Sequence, residues 1–534
     1  MPAMRHTLFV SILILSHSMV ANATHHIRVP HQIIQRRAST STSTSTEQSL
    51  RTSDKTPRQL IRLVKEKIHR IFSPTKNPWL TPSNIFEYLK HPASTVQTPF
   101  TMQQIRDTCT AMRALHKKQL DQDDRWLNGI TPLRDFFEKI TEIPFTPYIQ
   151  KKVFDNAENT GTKIISISDL KGDVQSLIAL FEHFQEKNFL RLHPDGTITI
   201  TNPQVLFVFT GDYVDRGKYG VETLKLVFDF YNHNPNQVVL VRGNHEDYAV
   251  NRINSFHKEL IQKLHLKSEC PDHIRCLQEV YSCYEVLPAA FYVGGKHSAQ
   301  PSLPTQFIKF CHGACDLGST PHALLNVDNK YDLARITSLD RLCNLHTLCC
   351  KVPSLEQTIG RPADLANRFP RHIRDIATLT SLASCQLGDV WGDIIFEDAQ
   401  NSIMKESCRG ALSVEYGKDL VHALCAAASS DKALLLAIVR GHQHTEHTMP
   451  IIKQHGGAYC AWRSQQHDNQ DTSSLPTTSQ TILLRQGDVV TVAPAPLSGY
   501  GKVYDYHYVP YGELDLATTK LTIHQVPIQL SNNA

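Results

Sequence analysis

The sequence predicts an α/β fold, and three observations lead there. From about residue 151 onward, short apolar runs alternate with stretches of helical periodicity, the pattern of strands separated by helices. Five of the apolar runs are followed at once by a polar cluster containing Asp, Asn or His. Loops at the carboxyl ends of strands converge on one site in such sheets, so clusters placed there point to chemistry. Glycines inside the clusters let the backbone turn sharply.

Residues 164–168 form the first predicted strand, with a helix near 174–184. A second strand over 205–210 precedes a helix over 221–231, and residues 238–241, 307–310 and 434–439 complete the five. Residues 481–484, 489–493 and 503–509 read as a final group of strands. The predicted core spans 151–527, with stretches near 257–285 and 321–384 that break the alternation and read as insertions.

The rest of the chain reads differently. Residues 1–23 resemble an export signal: Arg5 and His6 form a basic start, residues 8–15 are apolar, and Ala21-Asn22-Ala23 is a small-x-small cleavage site. That apolar run is too short to span a bilayer, and no later segment qualifies, so no transmembrane segment is expected. Residues 24–56 contain an alternating Ser-Thr tract and read as a flexible linker. Residues 57–150 form a helical N-terminal region, in which Leu60, Ile61, Val64, Ile68 and Ile71 recur at helical spacing.

Composition narrows the function. A 41% hydrophobic share permits a sizeable core, and a net charge of +4 argues against bulk binding to nucleic acid. The 28 histidines favour metal ligation. The 13 cysteines, odd in number and without a repeating spacing, favour a reducing final compartment. An exported protein delivered into another cell would reconcile that with the signal.

The clusters are Asp169-Leu170-Lys171-Gly172-Asp173, Gly211-Asp212-Tyr213-Val214-Asp215-Arg216-Gly217, Arg242-Gly243-Asn244-His245-Glu246, Cys311-His312-Gly313 and Arg440-Gly441-His442-Gln443. Aspartates, an asparagine and histidines supply the mixed oxygen and nitrogen donors that suit manganese, iron or zinc. GDYVDRG and RGNHE resemble the signature motifs of the phosphoprotein phosphatase family of calcineurin-like metallophosphoesterases. The segment from Ser407 through Arg409 to Ser413 and the Val492-Ala493-Pro494 segment are similar to two later motifs of that family. The likeness runs from about residue 163 to about 506, and the signal and the Ser-Thr linker resemble those of secreted bacterial effector members.

The resemblance implies a sandwich of two mixed β-sheets flanked by helices, and a phosphoric monoester hydrolase. It implies that Asp212 bridges two divalent metals, most simply manganese, that Asp169 holds the first, and that Asn244, His312 and His442 complete the second. His444 and His447 follow in the same run, but the family places its histidine directly before glutamine, which selects His442. Two metals would polarise a phosphoryl group and lower the pKa of a shared water that attacks phosphorus in line. His245 would be the general acid, oriented by Asp215, while Arg216 and Arg409 would clamp the phosphate oxygens. Asp173 reads as the cap of the following helix. The implied substrate is a phosphoserine or phosphothreonine protein, with phosphotyrosine, nucleotides and dinucleoside polyphosphates as alternatives, and a host protein is the target expected of an exported effector.

One residue departs from the pattern. The family's first motif reads Asp-x-His, and its histidine ligates the first metal; here Lys171 takes that place. A protonated lysine has no lone pair to donate. Either the first metal is held weakly, or the ammonium binds phosphate directly, or the protein binds phosphate groups without cleaving them.

Overall fold

The computed structural model describes residues 85–90, 97–127, 147–155, 161–193, 196–296, 302–316, 321–336, 388–396, 404–406, 414–463, 479–499 and 507–528. The signal, the Ser-Thr linker, the amphipathic stretch at 60–71 and Arg409 lie outside them. Among the described residues, no helix is long and apolar enough to cross a membrane.

The strands that build the site are β1 (Tyr148–Phe154), β2 (Lys163–Ile167), β3 (Val205–Phe209), β4 (Val238–Leu240), β5 (Ala290–Gly295), β6 (Thr305–Cys311), β7 (Leu333–Arg335) and β8 (Ala433–Arg440). They are followed by β9 (Ala458–Cys460), β10 (Ser479–Leu483), β11 (Asp488–Val492), β12 (Tyr508–Asp515) and β13 (Lys520–Pro527). A seven-stranded sheet runs β9-β11-β8-β6-β5-β1-β7, and a six-stranded sheet runs β10-β13-β12-β2-β3-β4. Both are mixed: β2, β3 and β4 are parallel while β12 joins β2 antiparallel, and β6, β8 and β11 are parallel while β5 joins β6 antiparallel. This is the sandwich implied by the resemblance.

Period-two alternation explains why the central strands read as unbroken apolar runs. In β3, Leu206 and Val208 face a core between the sheets, with Ile164, Phe291, Ile308 and Val439. Val205, Phe207 and Phe209 point the other way, into a core shared with the helices. Both faces are buried, so every position is apolar. The covering helices are α1 (Met102–Leu120), α2 (Val174–Glu186), α3 (Gly220–His233), α4 (Tyr248–Ile253), α5 (Phe256–Lys263) and α6 (Pro271–Tyr284). Asp173 caps α2: its side chain accepts the Ser176 N–H at 2.9 Å.

Two expectations change. The stretch at 257–285 is no appendage, because α5 and α6 bury Phe256, Leu260, Cys276 and Val280 in the core that holds α2 and α3. The stretch beginning at 321 contributes β7, an edge strand antiparallel to β1, while residues 337–387 lie outside the described set.

Candidate metal centre

The residues after β2, β3, β4, β6 and β8 meet at one end of the sandwich. The donor atoms of Asp169, Asp212 and His312 lie within 4.8 Å of one another, all buried. His312 Nε2 is 3.0 Å from Asp212 Oδ2, 2.9 Å from Asn244 Oδ1 and 3.1 Å from His442 Nδ1. Asn244 Oδ1 is 3.0 Å from His442 Nδ1. Five separate segments thus aim their donors at a common point.

Outer partners set the histidine tautomers. His312 Nδ1 lies 3.0 Å from the Thr210 carbonyl, and His442 Nε2 lies 3.2 Å from the Trp391 carbonyl. A carbonyl only accepts, so when the rings are neutral each of these nitrogens carries the proton, and His312 Nε2 and His442 Nδ1 are the nitrogens left to face the cluster. Gln443 holds the loop by accepting the Ile394 N–H at 2.9 Å and donating to the Ile394 carbonyl at 2.7 Å.

The backbone is bent hard to make this convergence. Nine non-glycine residues among those described have positive φ, and five belong to the predicted site: Lys171, Asp212, Asp215, Arg216 and His442. Such conformations cost free energy and cluster where surrounding structure enforces them. Close approach does the enforcing here. A Cβ on Gly441 would collide with the Asp169 carboxylate, and one on Gly211 would strike the backbone of Gly243.

Burial opposes ionisation of Asp212, but His312, Lys171 and His245 outweigh it and hold its carboxyl well below the usual range. Asp169 is likewise pushed up by burial and pulled below the usual range by His312 and Lys171. Buried anions beside inward lone pairs form a donor set that fits a divalent cation. Asp169 Oδ2 reinforces the fit, since it is buried and faces the Lys171 ammonium at 3.7 Å and His444 Nε2 at 3.3 Å, so other polar groups of the site converge on it.

Lys171 is buried in the centre of this set. Its ammonium pairs with Asp212 Oδ2 and lies 3.7 Å from Asp169 Oδ2. It therefore supplies positive charge between the two aspartates, where the resemblance puts a neutral ligand.

His245 Nδ1 pairs with Asp215 Oδ2 at 2.8 Å, and its Nε2 sits 3.9 Å from Asp212 Oδ2. Asp215 is pinned in turn. Its Oδ1 accepts the Ser255 and Phe256 N–H groups at 3.0 and 2.7 Å, and Asn251 Nδ2 donates to its Oδ2 at 2.6 Å. Arg216 is exposed at the rim.

Two contributors were missed in the sequence, and a third was weighed and set aside. Glu246 accepts N–H bonds from Asp212, Tyr213 and Gly243 at 2.7 to 2.9 Å, tying two site loops together. Burial, followed by the Asp212 charge, pushes its carboxyl up to about 7. Asn251 also donates to the His245 carbonyl at 2.7 Å, fixing His245 and Asp215 at once. His444 is buried with its Nε2 3.3 Å from Asp169 Oδ2, beside the aspartate that the resemblance assigns to the first metal. Its spacing two residues beyond His442 was the available signal.

Residues 162–347 match the family model described as calcineurin-like phosphoesterase. The chain carries a calcineurin-like metallophosphoesterase domain. The chain is 33% identical over 183 residues to the mouse (Mus musculus) serine/threonine-protein phosphatase with EF-hands 2, covering 34% of this chain and 19% of that protein. Against serine/threonine-protein phosphatase 7 of Arabidopsis thaliana it is 32% identical over 153 residues, covering 27% of this chain and 35% of that protein. The chain spans about a fifth or less of the length of the first of these relatives. A Saccharomyces cerevisiae protein serine/threonine phosphatase structure aligns at 16% identity and a TM-score of 0.42, covering 81% of this chain and 92% of that one.

Proposed function

We propose that the metallophosphoesterase domain is a metal-dependent phosphoprotein phosphatase acting on phosphoserine and phosphothreonine monoesters. The observation that carries the reading is the pairing of a closed donor cluster with a pinned histidine. Asp169, Asp212, Asn244, His312 and His442 would hold divalent ions, manganese first among them, with His444 as a sixth donor. Bound there, the ions would supply Lewis acidity to the phosphoryl group and to an attacking water.

The chain's own residues would supply the rest. His245 offers Nε2 to the leaving alkoxide because Asp215 occupies Nδ1, and it would transfer its proton there as general acid. Burial and the Lys171 charge push the His245 pKa down, while Asp212 and Asp215 oppose that shift. Exposed Arg216 would meet the incoming phosphate oxygens, with Arg409 as the second clamp. The relatives named as serine/threonine phosphatases support a protein substrate.

Lys171 favours one second reading, in which the centre binds phosphate groups and turns over poorly, because its ammonium already neutralises Asp212. His444 weighs against that by offering the first position another nitrogen. The proposal extends to an exported protein acting in a reducing compartment on a host phosphoprotein, which rests on residues 1–23 and the cysteine content.

The deciding experiment compares phosphoserine, phosphothreonine and phosphotyrosine peptides with diadenosine tetraphosphate at one concentration in manganese. Faster release from phosphoserine and phosphothreonine peptides supports the proposal. Preference for the dinucleotide, or no turnover of any substrate, overturns it.

A further inference from the structure

Arg216 stands in a left-handed backbone conformation, with φ 65° directly after Asp215 at φ 70°. A non-glycine residue stays there only where neighbouring groups hold it. Ser255 is one such group. It occupies the N-cap of α5, where a serine ordinarily bonds its own helix. Its hydroxyl makes no cap bond and instead accepts the Arg216 N–H at 2.9 Å.

Ser255, Glu259 and Lys263 follow at intervals of four residues, which places them on one face of α5. All three touch the same loop. Glu259 Oε1 accepts the Val221 N–H at 3.1 Å, and Lys263 Nζ donates to the Lys218 carbonyl at 2.9 Å. The Lys263 ammonium is buried and pairs with Glu222 Oε2 at 2.7 Å and Glu259 Oε1 at 2.9 Å. A Cβ on Gly220 would stand 2.9 Å from Glu259 Oε2 and 2.9 Å from the Phe256 ring, so the loop is pressed against this face. From the other side, the Gly217 and Tyr219 N–H groups bond to the Lys171 and Gly172 carbonyls at 2.8 and 3.1 Å. The backbone of residues 216–221 is thus gripped on two sides, while the Arg216 side chain remains exposed.

On the phosphatase reading, in which Arg216 clamps phosphate, we propose that Ser255, Glu259 and Lys263 are positioning residues that fix Arg216 for the incoming phosphate group. A buried ion cluster contributes little net stability over apolar side chains of similar volume, because dehydration offsets the attraction. What this cluster imposes is geometry. It holds the Lys218 carbonyl and the Val221 N–H on either side of Gly220, and Ser255 holds the Arg216 backbone itself. An exposed arginine keeps its rotamer freedom, so a fixed backbone is what limits where its fork can reach.

Calorimetric titration of inorganic phosphate into the manganese-loaded full chain tests this. Arg216→Ala should weaken phosphate binding at least about tenfold. Ser255→Ala should weaken it at least about threefold and Lys263→Met at least about tenfold, with manganese content unchanged. Ser255→Ala removes no cap bond, so α5 stays intact. In the Arg216→Ala background each of the two substitutions should cost less than about twofold, because the clamp they position is gone. A residue that merely supports the fold would cost the same in both backgrounds. Equal losses in the two backgrounds, or unchanged affinity in Ser255→Ala and Lys263→Met, overturn the proposal and leave the phosphatase reading standing. If Lys263→Met fails to fold, Ser255→Ala decides alone. Phosphate binding that is absent from wild type, or unaffected by Arg216→Ala, refutes the clamp and the proposal with it.

Discussion

Replacing Lys171 by Ala should weaken the metal-free protein more than the manganese-loaded one. The ammonium contacts Asp212 and lies 3.7 Å from Asp169 Oδ2, with all three side chains buried. At an effective dielectric of about 20, a unit charge pair at such a separation attracts by about 4–5 kcal/mol before dehydration is subtracted. Truncating one partner of a buried ion pair costs about 3–5 kcal/mol, because the other charge stays behind without compensation. Metal-free Lys171→Ala should therefore melt several degrees below wild type. In manganese the dication supplies the lost charge, and most of that difference should vanish. Lys171→His should act in the same direction with a ligand added, raising metal content from about one ion per chain toward about two. Paired melting curves in chelator and in manganese, with elemental analysis, read both effects. An equal loss of melting temperature in the two conditions would show that Lys171 stabilises by packing alone. Two tightly held ions in wild type would show that His444 fully replaces the missing histidine.

Other outcomes follow from the same geometry. His245→Ala should lower turnover of an alkyl phosphate by at least about a hundredfold with metal content unchanged, and Asp212→Asn should lower both; steady-state rates with metal analysis check this. Asn251→Ala should cost about tenfold in kcat without loss of metal, because it frees Asp215 and the His245 carbonyl together. Far from the centre, burial pushes Glu513 up, but His524 and Lys163 outweigh it and hold its carboxyl at about 2. A depressed carboxylate stabilises the fold above its unfolded pKa of about 4.5 and loses that contribution as pH falls from about 4.5 toward about 2. Melting temperature across that window should fall more steeply for wild type than for Glu513→Gln.

The parts of the fold legible in the sequence are those where both faces of a strand are buried. VLFVF in β3 and LLLAIV in β8 leave no polar position to confuse the pattern. β1 was missed because YIQKKVF carries two lysines. Lys151 is nonetheless buried, since its ammonium donates to the Leu324 and Val327 carbonyls at 2.8 and 3.1 Å. β13 was missed because half-buried Thr522, His524 and Gln525 interrupt its apolar Leu521, Ile523 and Val526, leaving no continuous apolar run.

The site was legible for a different reason. Each metal-centre residue sits directly after a strand within a cluster of residues that only close approach explains. Glu246 and Asn251 escaped notice because they act on backbone groups and on Asp215, and no spacing rule marks such braces. His444 was visible but set aside, because the resemblance selects the histidine directly before glutamine; its place beside Asp169 matters once Lys171 displaces the usual ligand. That displacement is a matter of charge placement in three dimensions.

The most direct measurement is phosphate release from a phosphoserine peptide by the purified full chain, with manganese or with chelator, for wild type and His245→Ala. Release that requires manganese and falls at least about a hundredfold in His245→Ala is the expected result. Release that survives chelation, or that is the same in both proteins, would contradict a metal-centred phosphatase with His245 as its acid.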